Sequence, residues 1–341
     1  MAYLLLVAGL AVILVSCEFF TNGVEWVGKR LKLSEGAVGS VLAAVGTALP
    51  ETVVPLVAIF LMGGEAGHEV GVGAILGAPF MLATLGFMMV GLGGVIHARR
   101  GRRPSHMELT RDVIRRDLRY FFLSYPIAIA AAFSPWQWPK YALAAALMVW
   151  YVRYVLVYLR GRAPAAEGSL APLRFMPRAK DGPPTWAAVA QVLVSTGAII
   201  AGARVFVGGV DQVATAWGVP RQLLALIIAP VATELPEKFN SIIWMGRGRD
   251  TLALGNMTGA MVFQSCFPVG VGLCFTPWSL QPWREHMPAL ASVVLAVASG
   301  VWLWTWLWRM KRVPAAFFIG AGAPYLVFVV VVVFLHSRGV P

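Results

Sequence analysis

Two glutamates in apolar surroundings carry the clearest chemical signal in this sequence. Glu51 ends the segment 43–51 (AAVGTALPE), and Glu237 ends the segment 229–237 (APVATELPE). Six of these nine positions are identical, and the two segments lie 186 residues apart without a gap. A carboxylate in the middle of a membrane-spanning helix costs about 2.5–3.5 kcal/mol on insertion scales. A duplicated pair of such acids predicts a cation site between them, because two structural, protonated acids would not require the duplication.

Hydroxyl and carbonyl oxygens accompany both glutamates. Thr47 and Thr233 each precede a glutamate by four residues, so hydroxyl and carboxylate share one helix face. Pro50 and Pro236 lie between them, and a proline frees a carbonyl one turn earlier. Calcium and sodium prefer such oxygen ligands. The alternative for each threonine is a hydroxyl that bonds back to its own helix.

Two further polar residues belong to the candidate cation-binding set. Glu234 lies one turn before Glu237. It is either a third ligand, a proton carrier, or a side chain that faces a water-filled vestibule and does not bind the cation. Gln264, in a later apolar segment, is either an additional ligand or half of a hydrogen bond between helices.

The elements that must position these residues are membrane helices. The 341 residues are 58% hydrophobic and 13% charged, whereas soluble domains carry about 25% charged residues. Long unbroken apolar runs disfavour a β-barrel. The net charge of +12 lies in short segments between apolar runs, which excludes nucleic acid as the partner and favours a lipid bilayer.

Apolar runs predict an all-α membrane protein with ten transmembrane helices. They cover 2–28, 35–62, 69–97, 119–134, 139–160, 185–216, 220–246, 251–275, 287–308 and 314–336. Basic residues fill every second loop, at 29–30, 99–119, 160–180, 247–249 and 309–312. Because cytoplasmic loops are basic, we expect both termini on the non-cytoplasmic side, in a prokaryotic plasma membrane.

The chain divides into two similar halves. Residues 1–160, with the motif 46–51, form a first five-helix repeat, and 161–184 form a cytoplasmic linker. Residues 185–341, with the motif 232–237, form the second repeat. An odd number of helices in each half predicts an inverted-topology repeat, which is the architecture of many secondary transporters.

The two motifs resemble the alpha repeats of the sodium/calcium exchangers, in the calcium/cation antiporter superfamily. The family motif reads Gly-Thr-Ser-Leu-Pro-Glu, against GTALPE at 46–51 and ATELPE at 232–237. The resemblance implies an antiporter that exports calcium, with Glu51 and Glu237 as the central metal ligands. It also implies that the first and sixth helices slide across the remaining helices, and that no cofactor is needed beyond the transported calcium, sodium or protons.

Departures from the family pattern leave the coupling ion open. The motif serine is Ala48 in one copy and Glu234 in the other. Leu82 and Gln264 stand where the third and eighth helices of the family carry a polar or acidic residue. Exchange of calcium for sodium is the leading hypothesis, with proton coupling or another transported cation as alternatives. A membrane enzyme is disfavoured because the sequence has no zinc or serine-hydrolase motif, and a channel remains a further alternative.

Overall fold

The fold is an assembly of helices. The computed structural model describes residues 1–30, 49–160, 171–177, 182–310 and 312–337. Its helices are α1 (Ala2–Arg30), α2 (Leu49–Val57, continued by a π-helical turn at Ala58–Met62), α3 (Gly64–Met81, a π-helical turn at Leu82–Gly86, then Phe87–Arg99), α4 (Arg111–Ala130), α5 (Gln137–Arg160), α6 (Thr185–Trp217), α7 (Arg221–Gly246), α8 (Asp250–Phe275), α9 (Met287–Arg309) and α10 (Ala323–Ser337, preceded by a 3-10 turn at Ala315–Gly322).

Each of the ten predicted helices has a counterpart, but two begin earlier than predicted. The third starts at Gly64 rather than 69, and the fourth at Arg111 rather than 119. The first turns of α4 carry arginines on one side, while Ile114 on the other side is fully buried. A search for apolar runs misses such an amphipathic start. The predicted start of the second helix, at 35, lies outside the described residues.

Seven of the described helices are long and apolar enough to cross a membrane. The helices below that threshold are α2, of which only the part from residue 49 is described, and α4 and α7, which carry charged residues. Helix α3 is the longest span, with 36 residues at Gly64–Arg99, or about 54 Å at 1.5 Å per residue. It is buried along most of its length and contributes many side chains to the largest of the three apolar clusters of the described residues.

Helices α1 and α6 form a closely packed pair. A Cβ atom added at Gly9 would lie only 2.5 Å from the backbone nitrogen of Phe206, so glycine is required for this approach. The pair packs on α2, α3 and α7 through a second apolar core, in which alanines such as Ala58, Ala74 and Ala203 lie beside larger side chains such as Phe206 and Leu224. Two helices that are the first of each repeat therefore lie side by side.

A second close contact joins α3 to α7. A Cβ atom added at Gly77 would lie 2.0 Å from the carbonyl oxygen of Leu226, and one at Gly73 would lie 2.2 Å from that of Gln222. Since real Cβ atoms do not approach a carbonyl this closely, these glycines set the distance between the two helices. The third helix of one repeat therefore packs directly against the second helix of the other repeat.

The strap, which is residues 171–177 of the linker, is fastened to both α1 and α6. The Asn22 carboxamide oxygen accepts a hydrogen bond from the backbone nitrogen of Arg174 at 3.0 Å. The Gln191 carboxamide oxygen accepts one from the backbone nitrogen of Phe175 at 2.8 Å. The division of the chain at the linker stays a prediction, and much of the linker lies outside the described residues.

The end of the bundle that carries the basic loops is braced by side chains and by a short sheet. Strand β1 (His106–Met107) pairs antiparallel with β2 (Val313–Pro314) and joins the α3–α4 loop to the α9–α10 loop. Both guanidinium nitrogens of Arg103 donate to the buried carboxylate of Asp250, at 2.6 and 2.7 Å. The basic loop between α3 and α4 is thus held in an ordered conformation by the short sheet and by the ion pair.

Replacement of Gly77 by alanine tests the α3–α7 contact. We expect Gly77→Ala to destabilise the protein by about 1–3 kcal/mol, because the methyl group must displace the carbonyl of Leu226. Gly208→Ala is the control, since a Cβ there meets nothing within 4 Å. The measurement is the thermal-unfolding midpoint in detergent, and equal midpoints for the two variants would contradict the proposed constraint.

Candidate cation site

Helices α2, α3, α7 and α8 pack against one another and bring the candidate residues into one group of elements. Prolines inside two of these helices expose main-chain oxygens beside the polar side chains. Pro55 lacks the amide that would bond the carbonyl of Glu51, and Pro268 lacks the amide that would bond that of Gln264. At both residues a main-chain carbonyl without its usual helical donor lies beside a polar side chain, and a cation with several oxygen ligands could use such a carbonyl.

The described site residues are buried. Glu51 is 7% exposed, Thr233 is 2% exposed, and Glu234 has no exposed surface. Glu234 therefore does not face open solvent in this conformation, contrary to the vestibule alternative. Thr47 lies outside the described residues, and so does the side chain of Glu237, whose backbone belongs to α7.

The Thr233 hydroxyl donates to the carbonyl oxygen of Ala229 at 3.0 Å, one turn earlier in α7. The Thr233 hydroxyl therefore bonds to its own helix, as one of the two alternatives for the threonines expected. A hydroxyl that donates once still has lone pairs on its oxygen. This hydrogen bond directs the hydroxyl proton toward Ala229 and leaves lone pairs on the Thr233 oxygen that can coordinate a cation.

Gln264 is the most informative polar side chain of the group. It has no exposed surface, and neither its amide nitrogen nor its amide oxygen has a hydrogen-bond partner in the described part of the chain. Within the described residues, no helix–helix hydrogen bond involves the Gln264 side chain. Leaving a buried amide unsatisfied costs about 1–3 kcal/mol, which a bound ligand would recover.

The counterpart of Gln264 on α3 is apolar. Leu82, at the repeat-equivalent position, is fully buried and begins the π-helical turn Leu82–Gly86. The carbonyl of Ala83 in this turn accepts a hydrogen bond from the Ser299 hydroxyl of α9 at 2.5 Å. The two repeats therefore differ at this equivalent position, where α8 carries an amide and α3 carries a hydrocarbon side chain.

Sequence reasoning missed a buried acid on α4. Asp117 was assigned to a basic loop, yet its carboxylate is enclosed between α4, α5 and α8 and accepts hydrogen bonds from Thr258 and Tyr154. A signal was present, because Asp117 shares the spacing of the buried face of α4 with Ile114 and Phe121.

A helical bundle that encloses carboxylates and an amide without a partner among the described residues is an arrangement that suits a cation transporter. The family model described as sodium/calcium exchanger protein matches residues 1–160 and 187–334. The chain therefore belongs to the sodium/calcium exchanger family. The members of this family are transporters, so the protein is a cation antiporter rather than a membrane enzyme.

Individual relatives are distant but cover most of the chain. The putative antiporter CaxA of Alkalimonas amylolytica is 24% identical over 283 residues, which cover 81% of each protein. The sodium/calcium exchanger MaX1 of Methanosarcina acetivorans is 21% identical over 316 residues, covering 82% of this chain and 84% of the relative.

Solved exchangers share the fold. The H+/Ca2+ exchanger CAX superposes with a TM-score of 0.73 at 18% identity, covering 97% of this chain and 82% of that one. The sodium-calcium exchanger NCX_Mj superposes with a TM-score of 0.57 at 17% identity, covering 97% and 99%. These likenesses confirm the predicted fold of ten transmembrane helices in inverted repeats.

Gln264→Leu separates binding from stability. We expect the variant to be as stable as the wild type or more stable, since an unpaired buried amide is replaced by an apolar group. We also expect it to bind calcium more weakly, because an oxygen ligand is lost. Calorimetric titration and a thermal-unfolding midpoint measure the two effects.

Ser265→Ala is the matched control next in the chain. Its hydroxyl is hydrogen-bonded to the Ser124 hydroxyl of α4 at 2.7 Å, so this variant should lose about 0.5–1.5 kcal/mol of stability and keep its calcium affinity. Unchanged calcium binding by Gln264→Leu would remove Gln264 from the site.

Proposed function

We propose that the protein exports calcium, or a similar divalent cation, in exchange for sodium. Glu51 and Glu237 are the central ligands in this proposal, and the additional oxygens come from Thr47, Thr233, Glu234 and Gln264. The observation that carries it is the burial of Glu51 and Glu234 in the same group of helices as an amide with no partner among the described residues. Carboxylates and amides together form the oxygen environment that calcium prefers.

Proton coupling is the second candidate, and one feature of α3 favours it. A sodium site beside the central ion needs its own oxygen ligands, but the α3 sequence from Gly77 to Leu82 has no polar side chain. Glu234 and Glu237, one turn apart, would repel each other when both are ionised, so one of them is suited to carry a proton. The superposition on the H+/Ca2+ exchanger CAX, with its TM-score of 0.73, is consistent with this candidate.

The packing of α1 and α6 suits them for the moving part of an alternating-access cycle. They are bound closely to each other, while their contact with α2, α3 and α7 is made largely of apolar side chains. Such a surface has few directional hydrogen bonds to break, so displacement along it costs little at intermediate positions. In our proposal, this pair slides and opens the central site to each side of the membrane in turn.

An arginine stands between the proposed moving and static parts. Arg221 at the start of α7 forms an ion pair with Asp211 of α6, and its guanidinium lies 3.8 Å from the carboxylate of Glu69 on α3. Movement of α6 would weaken one pair and leave the other intact. All three side chains are partly exposed, as expected for groups at one end of the bundle.

Replacement of either central acid should abolish transport. We expect Glu51→Gln and Glu237→Gln to eliminate calcium uptake into proteoliposomes while the purified proteins keep the wild-type elution volume. The exposed Glu65, in the first turn of α3, supplies the control Glu65→Gln, which should transport normally. Normal exchange by either central variant would refute the assignment of the pair.

An imposed gradient identifies the coupling ion. Proteoliposomes loaded with labelled calcium should release it when sodium is added outside at equal pH on both sides, if sodium is the counter-ion. Efflux that follows an imposed pH difference and ignores sodium would replace the leading proposal by its proton-coupled alternative. Efflux that follows neither gradient would exclude both.

A further inference from the structure

We propose that Asp117 is a proton-binding site, separate from the central cation site, which makes the rate of exchange depend on pH. The inference rests on the proposed function, and it holds for either coupling ion. It follows from the kind of hydrogen-bond partners that surround this carboxylate, from its contrast with a second buried acid, and from its contact with the helix that carries Gln264.

The carboxylate of Asp117 is held at the meeting of three helices. Its side chain is 1% exposed. The Thr258 hydroxyl of α8 donates to Oδ2 at 2.7 Å, and the Tyr154 hydroxyl of α5 donates to Oδ1 at 3.1 Å. The charged group that faces it is Arg116 of the same helix, whose Nε lies 4.0 Å from Oδ1. Among the described residues, the ionisable side chains that contact it are therefore one guanidinium and one phenol.

The partners of Asp117 accommodate both protonation states. A hydroxyl can donate to a carboxylate, and after rotation it can accept from a protonated carboxyl. Thr258 has alternative acceptors in place for its own proton, since the carbonyl oxygens of Leu254 and Gly255 lie 3.4 and 3.5 Å away. A proton on Asp117 can therefore be bound without leaving a buried polar group unpaired.

Asp250 shows the opposite arrangement. Its carboxylate accepts from two guanidinium nitrogens of Arg103 and from the backbone nitrogen of Glu108 at 2.8 Å. Guanidinium and backbone N–H groups can only donate hydrogen bonds. A proton on the Asp250 carboxyl would therefore find no acceptor among these partners. The hydrogen-bond partners of Asp250 are therefore donors alone, whereas those of Asp117 can either donate or accept.

Helix α8 connects Asp117 to the candidate cation site. Thr258 lies on the helix that carries Gln264, and a second polar contact between α4 and α8 joins Ser124 to Ser265. Protonation of Asp117 turns the Thr258 hydroxyl away and weakens one of these two contacts. A proton also has a short route, because Asp117 lies about 9 Å along α4 from Arg111 at the end of the bundle with the basic loops.

Calcium–calcium exchange provides the test, because it needs no counter-ion gradient. Uptake of labelled calcium by calcium-loaded proteoliposomes is measured from about pH 5 to about pH 9, with equal pH on both sides. We expect the wild-type profile to contain an inflection that Asp117→Asn removes, with the exchange rate held at the wild-type acid limit. Asp112→Asn is the control, since Asp112 is a fully exposed carboxylate of the same helix whose side chain is 96% exposed, and it should keep the wild-type profile.

Thr258→Val tests the assignment without removal of the carboxylate. Loss of a donor to the ionised form should move the midpoint of the profile to higher pH, by about one unit. A moved midpoint supports the proposal even if Asp117→Asn fails to fold. A well-folded Asp117→Asn with the wild-type midpoint would overturn it, and so would an unmoved midpoint in Thr258→Val.

Failure of the proposed function gives a different result. If the wild type exchanges no calcium, the carboxyl band in infrared spectra still reports proton binding, as a pH-dependent signal that is absent from Asp117→Asn. An infrared signal identical in the wild type and Asp117→Asn would overturn the proton site independently of transport.

Discussion

The cost of holding carboxylates away from water governs this structure. A buried acid must be neutralised by a proton, a cation or a basic side chain, and the protein uses a different solution at each position. Asp250 is matched by Arg103 where the basic loops meet the bundle. Glu51 and Glu234 are buried among the helices that also carry Gln264, and in our proposal an exchangeable cation neutralises them there. The ion pair and the candidate cation site therefore use different residues to offset the cost of a buried carboxylate.

Most of the architecture could be predicted from the sequence, because the membrane leaves few choices. Runs of apolar residues fix the number of helices, and the repeated motif around Glu51 and Glu237 indicates both the symmetry and the candidate ligands. The start of helix α4 is harder to predict, since its first turns are amphipathic and their arginines resemble those of a basic loop. The burial of Asp117 depends on side chains from α5 and α8, and contacts between distant segments cannot be obtained from local pattern alone.

The same limit applies to the direction of individual side chains. Sequence spacing left Thr233 and Gln264 each with two possible roles, and only the packed structure distinguishes them. Thr233 bonds to its own helix, while Gln264 has no partner within the described residues. The spacing of polar residues along a helix states which face they share, but it does not state what lies opposite that face.

The strap has a consequence for the energetics of the two repeats. In an ideal inverted repeat, the inward-open and outward-open states would be related by a two-fold axis in the membrane plane and would have equal free energy. Here the described strap, residues 171–177, binds α1 and α6 at one end of the pair, and the repeat equivalent of Gln264 is the apolar Leu82. A difference of about 1.4 kcal/mol between the states would leave one of them ten times more populated. The resting protein is therefore expected to favour one side of the membrane before any ion binds.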